Sequence, residues 1–572
     1  MTPNDPAADG ARIEGRVTDA GGGALSGATV TLYAREARPE ARLSTQTDEA
    51  GRYSFARLAA PAEYIVEARA EGFARAPARV VRLARGASVT LDIALDVAAL
   101  REEVVVTAAD APQPVDEVSK AVTVVGRREV EERDEASVAE ALRTVPGLRV
   151  QQLGGPGSFT TIKTRGLRNQ DTAFLIDGLR FRDVTAERGD ASGFLSDFLF
   201  TDASRVEVLR GSGSSLYGTN AVGGVVNVVT EEGGGPFRGS LLAEGGSLGT
   251  FRGRAQVSGG AGEADRLAFS AAVSHLNVSR GVDGDDAART TNAHGRALLR
   301  LTPTSTLSAR VYAGDSFVQL NDNPQAVGVN ASTLVVARPL SREELRRYES
   351  GVSVGQLNLG GANFIPAAND PDNSRAARFL TAALTFAQRA SESFGYSLTY
   401  QGLRTRNSFR EGPSGTSPFE PFGNTAADLE GRVHTLNART DFRLGRHNFV
   451  TAGYEFEHED FENRALAASP SDNFSLGVSQ RSHAVFVQDQ LRLLEDRLQL
   501  SAAFRAQFFS LGRPRIEPSA GAPYAGLDFE APPDAYTGDG SVAYLFRSTG
   551  TKLRAHVGNG YRAPSLYERF GT

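Results

Sequence analysis

Between Leu209 and Thr230 the chain reads LRGSGSSLYGTNAVGGVVNVVT, a glycine- and serine-rich bend that runs into an apolar stretch. A bend of this kind can cradle phosphate, but that chemistry also needs a Gly-Lys-Ser/Thr ending and a helix whose N-terminus faces the anion. The lysines of this chain are Lys120, Lys163 and Lys552, all remote from the bend, and Leu216 stands where a third fingerprint glycine would be. The following Val225-Val226-Asn227-Val228-Val229 is β-branched and strand-forming. The local reading is therefore a turn-rich β segment, without phosphate chemistry. A second candidate is GVDGDD, from Gly281 to Asp286. Asp283, Asp285 and Asp286, with Asp315 or Asp322 from the next hairpin, could offer hard oxygen ligands to Ca²⁺ in the outer loops, although the EF-hand spacing is missing. A solvated acidic loop is the competing reading. The seven histidines show no metal-ligand spacing, and no Ser-His-Asp arrangement is suggested. With no cysteine there is neither a thiolate site nor a disulfide framework. These observations argue against an enzyme and require no cofactor.

Composition narrows the class. The 572 residues imply several domains. The net charge of −6, without a basic run, gives no support to nucleic-acid binding. No segment approaches the ~18 apolar residues of a membrane helix, and MTPNDPAADG has neither a basic nor an apolar leader region. A soluble protein, a mature secreted form and a membrane barrel all remain open.

Organisation along the chain selects among them. Residues 11–96 hold several short strands separated by Gly/Asp turns, which predicts a β-sandwich. Residues 97–116 read as a linker containing one apolar strand, REEVVVTAADAPQP, with nothing local to pair with. Such a strand is either buried in a neighbouring domain or left free for a partner's sheet edge. Residues 117–233 mix a short helix, VAEALRTVPGLRV, with the strands TTIKTRG, TAFLIDGLRF, RVEVLRG and GGVVNVVT. From residue 236 to 572, segments of ten or more residues alternate in polarity. Leu498, Leu500, Ala502, Phe504, Ala506 and Phe508 fall on one face, against Arg497, Gln499, Ser501, Ala503, Arg505 and Gln507. Val450, Ala452, Tyr454 and Phe456 likewise oppose Thr451, Glu455 and Glu457. Arg and Glu on an inward face do not suit a sandwich core, but they suit a polar lumen with lipid outside. Short links (TPTST, ASES, LGRHN, LLEDR, RSTGT) alternate with long ones near 277–292, 315–374, 407–428, 459–475 and 510–537. The expected fold is mainly β: a sandwich, a mixed α/β domain and an antiparallel transmembrane barrel.

Two resemblances sharpen this reading. Residues 11–96 resemble the carboxypeptidase regulatory-like domain through Gly15-x-Val17-x-Asp19, Gly27-Ala28-x-Val30 and Asp48-x-x-Gly51-x-Tyr53-x-Phe55, with no histidine for a peptidase zinc site. The rest resembles a TonB-dependent outer-membrane receptor, through EEVVVTA, LRTVPGLRV, TRG, LIDGLR, the stretch quoted first and GYRAPSLYERFG. The resemblance implies a TonB box formed by Glu102, Glu103, Val104, Val105, Val106, Thr107 and Ala108. It implies a plug in the barrel lumen whose core and gating residues include Arg165, Gly166, Asp177, Gly178, Glu207, Arg210, Gly211, Tyr217, Gly218, Gly223 and Gly224, where Arg165 and Arg210 can meet acidic groups. Leu179, Arg180, Phe181 and Arg182, with the outer loops, would form the ligand surface. The implied function is active uptake of a large scarce solute. A metal chelate, either an iron siderophore or cobalamin, is preferred, because residues 181–211 have the layout of those receptors. Oligosaccharide import, or a passive porin or surface-binding role, are the alternatives. The implied partners are periplasmic TonB with ExbB/ExbD and outer-membrane lipid, with the N-terminal domain in the periplasm. Such transporters have about 22 strands around a plugged lumen, whereas about 13 are countable here. An open sheet cannot span a bilayer, so the chain is expected to be part of a longer protein.

Overall fold

A computed structural model describes residues 11–19, 22–34, 42–70, 79–95, 103–104, 113–114, 119–281, 286–321, 325–327, 338–366, 368–412, 425–467, 473–517, 528–546 and 549–571. Contacts divide the chain into two compact units, Met1–Glu102 and Glu103–Thr572.

The first unit is a sandwich of two four-stranded sheets. In one, Ala11–Asp19 lies between Arg52–Leu58 and Ser88–Thr90 and also pairs with Ile93–Leu95. In the other the order is Arg42–Gln46, Thr29–Ala34, Ala62–Arg69, Arg79–Leu83. Alternate residues Ile13, Val17, Val30, Leu32, Tyr53, Phe55 and Val66 form the core between them. The motif residues have physical tasks. Asp48 Oδ1 accepts from the amides of Ala50 and Arg52, shaping the turn in which Gly51 adopts φ +75°. Gly15 lies so close to Leu91 that a Cβ would collide with its carbonyl oxygen. That same carbonyl accepts from the Tyr53 hydroxyl at 2.7 Å, and burial raises the phenol above its ordinary pKa, keeping it a donor. Gly15→Ala is therefore expected to prevent Ala11–Asp19 from seating against the backbone at Leu91, and Tyr53→Phe to cost about 1–2 kcal/mol for the orphaned carbonyl. Protease resistance of residues 11–95 in the two variants checks this; equal resistance in Gly15→Ala and wild type would refute the packing argument.

In the second unit, Glu103–Val104 pairs antiparallel with Gln113–Pro114. This corrects the expectation of a strand with nothing local to pair with: the ladder is only two residues long, and period or propensity cannot reveal so short a match. Glu102 and Val105 to Ala108 lie outside the described residues.

A five-stranded sheet follows, in the order Ala121–Gly126, Ala203–Arg210, Gly224–Thr230, Thr172–Ile176, Leu179–Phe181, with Leu148–Gln152 and Thr160–Thr164 as a separate hairpin. Gly224–Thr230 runs parallel to Thr172–Ile176 and is buried on both faces, which explains an apolar run interrupted only by Asn227 before Thr230. The helix Val138–Leu142 begins with a capping box between Ser137 and Glu140.

This plug packs against an antiparallel sheet of fourteen strands among the described residues. Thirteen pair in chain order, from Arg238–Gly246 to Thr551–Gly558, and Arg515–Glu517 adds beside Phe474–Leu493. The sheet is not closed. The alternation has its expected direction: Leu436, Phe442, Tyr454, Phe504 and Phe508 are exposed outward, while Arg439, Thr451, Glu457, Arg505 and Gln507 are buried inward. The long links are shorter than expected, because strands such as Ser305–Asn321, Phe394–Glu411 and Thr425–Leu444 continue as polar ladders into stretches read as loop. The link after Asn321 carries its own small core, with Leu340, Tyr348, Leu357 and Ile365 around the helix Arg342–Glu349.

Candidate functional site

The site is the contact between the plug and the inner face of the sheet. It begins at the turn Asp177-Gly178, both residues at positive φ. Asp177 accepts from the Thr230 amide at 2.8 Å and its hydroxyl at 2.7 Å, and the Gly178 amide donates to Asn227 Oδ1 at 2.9 Å. Asn227 in turn donates to the buried Glu207, which also pairs with Arg205 at 2.7 Å. The turn is thus fixed onto the central strand, and it launches Leu179–Phe181 along the wall.

There the charges interlock. Arg180 reaches Glu455 at 3.1 Å and also pairs with Glu457. Arg182 reaches Glu457 at 3.1 Å and Glu459 at 2.8 Å. Arg505, from the neighbouring part of the wall, closes on Glu455 at 2.6 Å. Three arginines and three glutamates balance, and all six are largely excluded from water. Gly218 belongs to this arrangement, since a Cβ there would stand 2.7 Å from an Arg180 nitrogen. The Tyr217 carbonyl accepts from Arg180 at 2.9 Å.

Beside this ladder lies an aromatic cluster. Phe181, Phe194 and Phe198 of the plug meet Phe379 of the wall at centroid distances of 5.2, 5.5 and 5.1 Å. A second ionic anchor holds the plug's first strand: Lys120 pairs with Asp539 at 2.5 Å, His556 stands 3.4 Å from the same carboxylate, and Ser119 shares a 2.7 Å hydrogen bond with Ser541.

Several expected residues fall elsewhere. Arg180 and Arg182, read as ligand-contacting, are engaged by the wall, Phe181 is in the aromatic cluster, and Leu179 is half-buried beside the wall. Arg210 meets no carboxylate among the described residues; it donates to the Pro146 carbonyl at 3.0 Å and the Thr123 hydroxyl at 2.8 Å. Arg165 takes a turn position with Gly166, φ +52° and +77°, and its amide donates to the Gly147 carbonyl. No ion pair of Arg165 occurs among the described residues. Gly211, Gly223 and Gly224 are close-approach positions: a Cβ on Gly211 would meet His556, on Gly223 Leu167, and on Gly224 the Leu209 carbonyl at 2.5 Å. Asp286 is bonded by Asn321, while Asp315 lies half-exposed and paired with Arg378 at 2.5 Å. Tyr312 and Ser316, of the opposite parity, are the inward ones on this strand. Asp283, Asp285 and Asp322 lie outside the described residues.

Glu459, Asp539, Lys120 and Phe379 were not anticipated. The alternation places Glu455 and Glu457 inside, but their partners stand some 275 residues earlier in the chain.

Family models match in the order the architecture demands. The carboxypeptidase regulatory-like domain matches residues 12–96, the TonB-dependent receptor plug domain 114–225, and the TonB-dependent receptor-like β-barrel 339–572. The chain belongs to the TonB-dependent receptors. Members of this family are outer-membrane β-barrels. This receptor is similar to the vitamin B12 transporter BtuB of Photobacterium profundum, at 35% identity over 159 residues, covering 28% of this chain and 25% of that protein. A second vitamin B12 transporter BtuB, of Vibrio vulnificus, is 37% identical over 130 residues, 23% of this chain and 20% of that protein. The fold of the receptor is shared with the unliganded ferric citrate transporter FecA, at TM-score 0.58 and 17% identity, covering 79% of this chain and 64% of that one. It is shared also with the Pseudomonas aeruginosa ferripyoverdine receptor, at TM-score 0.59 and 15% identity, covering 83% and 62%. The matched part of the receptor thus spans about a quarter of the curated relatives' length.

Proposed function

We propose that this chain supplies the plug and part of the barrel of an importer that captures a large scarce solute outside and admits it using energy delivered by TonB with ExbB/ExbD. The observation that carries this is the plug itself, seated against the wall by a buried, charge-balanced ladder and an aromatic cluster. A plug held against the wall in this way opposes passive passage, which favours an energised importer over a porin. A metal chelate is the preferred solute, supported by relatives described as transporters of vitamin B12 and of ferric citrate. The hairpin tip at residues 153–159 is a further candidate for solute contact, beside residues 179–182. Leu153 and Phe159 are 64% and 49% exposed, and Gly157 lies against Val318 and Ala288 at the long-link end of the wall.

Deletion of the full-length gene tests the reading. Growth should fail on limiting iron or cobalamin; growth unchanged on both, with a defect on limiting glycans, would transfer the assignment to oligosaccharide import. Phe159→Ala is expected to weaken capture of the solute at the cell surface while leaving the amount of receptor in the membrane unchanged. Undiminished binding would remove the hairpin tip from the solute site.

A further inference from the structure

The half of the wall nearer the short links does not touch the plug everywhere. A cavity of about 510 Å³ remains there, within the ~300–1,000 Å³ of small-molecule sites. On the wall side the hydroxyls and amides of Thr385, Ser397, Thr399, Thr435, Asn437 and Gln488 line it, together with the charged Arg296, Arg310, Arg439 and Glu455. On the plug side it meets Gly178, Leu179 and Arg180. Arg180 and Glu455 are also the first rung of the ionic ladder, which climbs from this cavity through Glu457 and Glu459 toward the long links.

Resting on the import reading above, we propose that this cavity is an inner solute site on the route to the periplasm, and that Arg180 and Arg182 against Glu455, Glu457 and Glu459 are its gate. The lining suits a hydrophilic, oxygen-rich solute: hydroxyls and amides both donate and accept, and the charged wall members Arg296, Arg310, Arg439 and Glu455 include both signs, so no single charge dominates the site. The gate lies on the ladder side and not at the Phe181–Phe379 side for a physical reason. Parted ions regain water, whereas parted aromatic faces expose apolar surface.

Planar-bilayer conductance of the full-length receptor tests this without knowledge of the solute. The wild type should be silent, and Arg180→Gln combined with Arg182→Gln should conduct. Glu457→Gln removes the carboxylate that both arginines share and leaves the plug sequence untouched, so it should conduct as well. These 572 residues contain no cysteine, so Thr399→Cys placed in either background adds a thiol at the cavity, and the same background without it is the control. A charged methanethiosulfonate reagent should then cut the current by more than half, while the outward-facing Tyr454→Cys should be insensitive. Silence of both ladder variants, or a current that ignores modification at position 399, overturns the gate and its cavity. Uptake measured in cells is read separately: import with a silent ladder sinks this inference alone, and absence of import sinks the transport reading.

Discussion

Val105→Pro in the full-length receptor should reduce solute uptake to the level of cells lacking TonB, while surface binding of the solute stays unchanged. An added strand gains affinity from its backbone hydrogen bonds, and alternate side chains set its register. Proline removes one donor and is excluded from a central ladder position. Among the described residues, Glu103–Val104 has a two-residue strand match, to Gln113–Pro114. A two-stranded ribbon is marginal in water at best. Val105→Thr keeps both the amide and the β-branched shape, and so should import normally. Removing residues 1–96 should impair uptake less than the proline. Normal import by Val105→Pro would leave the receptor without its proposed coupling strand.

The second large effect is expected at the anchor. Asp539→Ala leaves the Lys120 ammonium buried without its carboxylate and removes an acceptor shared with Ser215 and His556. Breaking a buried pair from one side costs about 3–5 kcal/mol. Ser119 and Lys120 are also the first described residues of the plug beyond the linker, so tension applied to residues 102–108 reaches this pair before any other ionic contact among the described residues. Amide exchange of Ala121–Gly126 in the purified receptor should accelerate by two or more orders of magnitude in Asp539→Ala. Exchange unchanged from wild type would show that the pair contributes nothing to seating.

Much of this was legible because one variable, polarity alternating with period two, governs each wall strand. Phe504 and Phe508 outside with Arg505 and Gln507 inside follow from it directly. The same rule put Glu455 and Glu457 in the lumen, yet it has no term for what they meet, since Arg180 and Arg182 arrive from another domain. Residues 179–182 were read as a ligand surface through the resemblance alone; what the residues themselves could not reveal is that the turn is pinned to Thr230 and Asn227, which aims the hairpin at the wall. The sandwich was read most completely, because the partners of Gly15, Gly51 and Tyr53 all lie within one small domain.

The ladder has a further property in its spacing. Glu455, Glu457 and Glu459 repeat every second residue, about 6.8 Å along a strand, and Arg180 and Arg182 share that interval and direction. If the hairpin moves one interval toward the short links, Arg182 arrives between Glu455 and Glu457, and Arg180 enters the cavity. Each arginine is released while the other still has a carboxylate within reach. The work of drawing the plug down is therefore divided among several low barriers in succession, so a modest, sustained tension suffices where one all-at-once rupture would demand a large one.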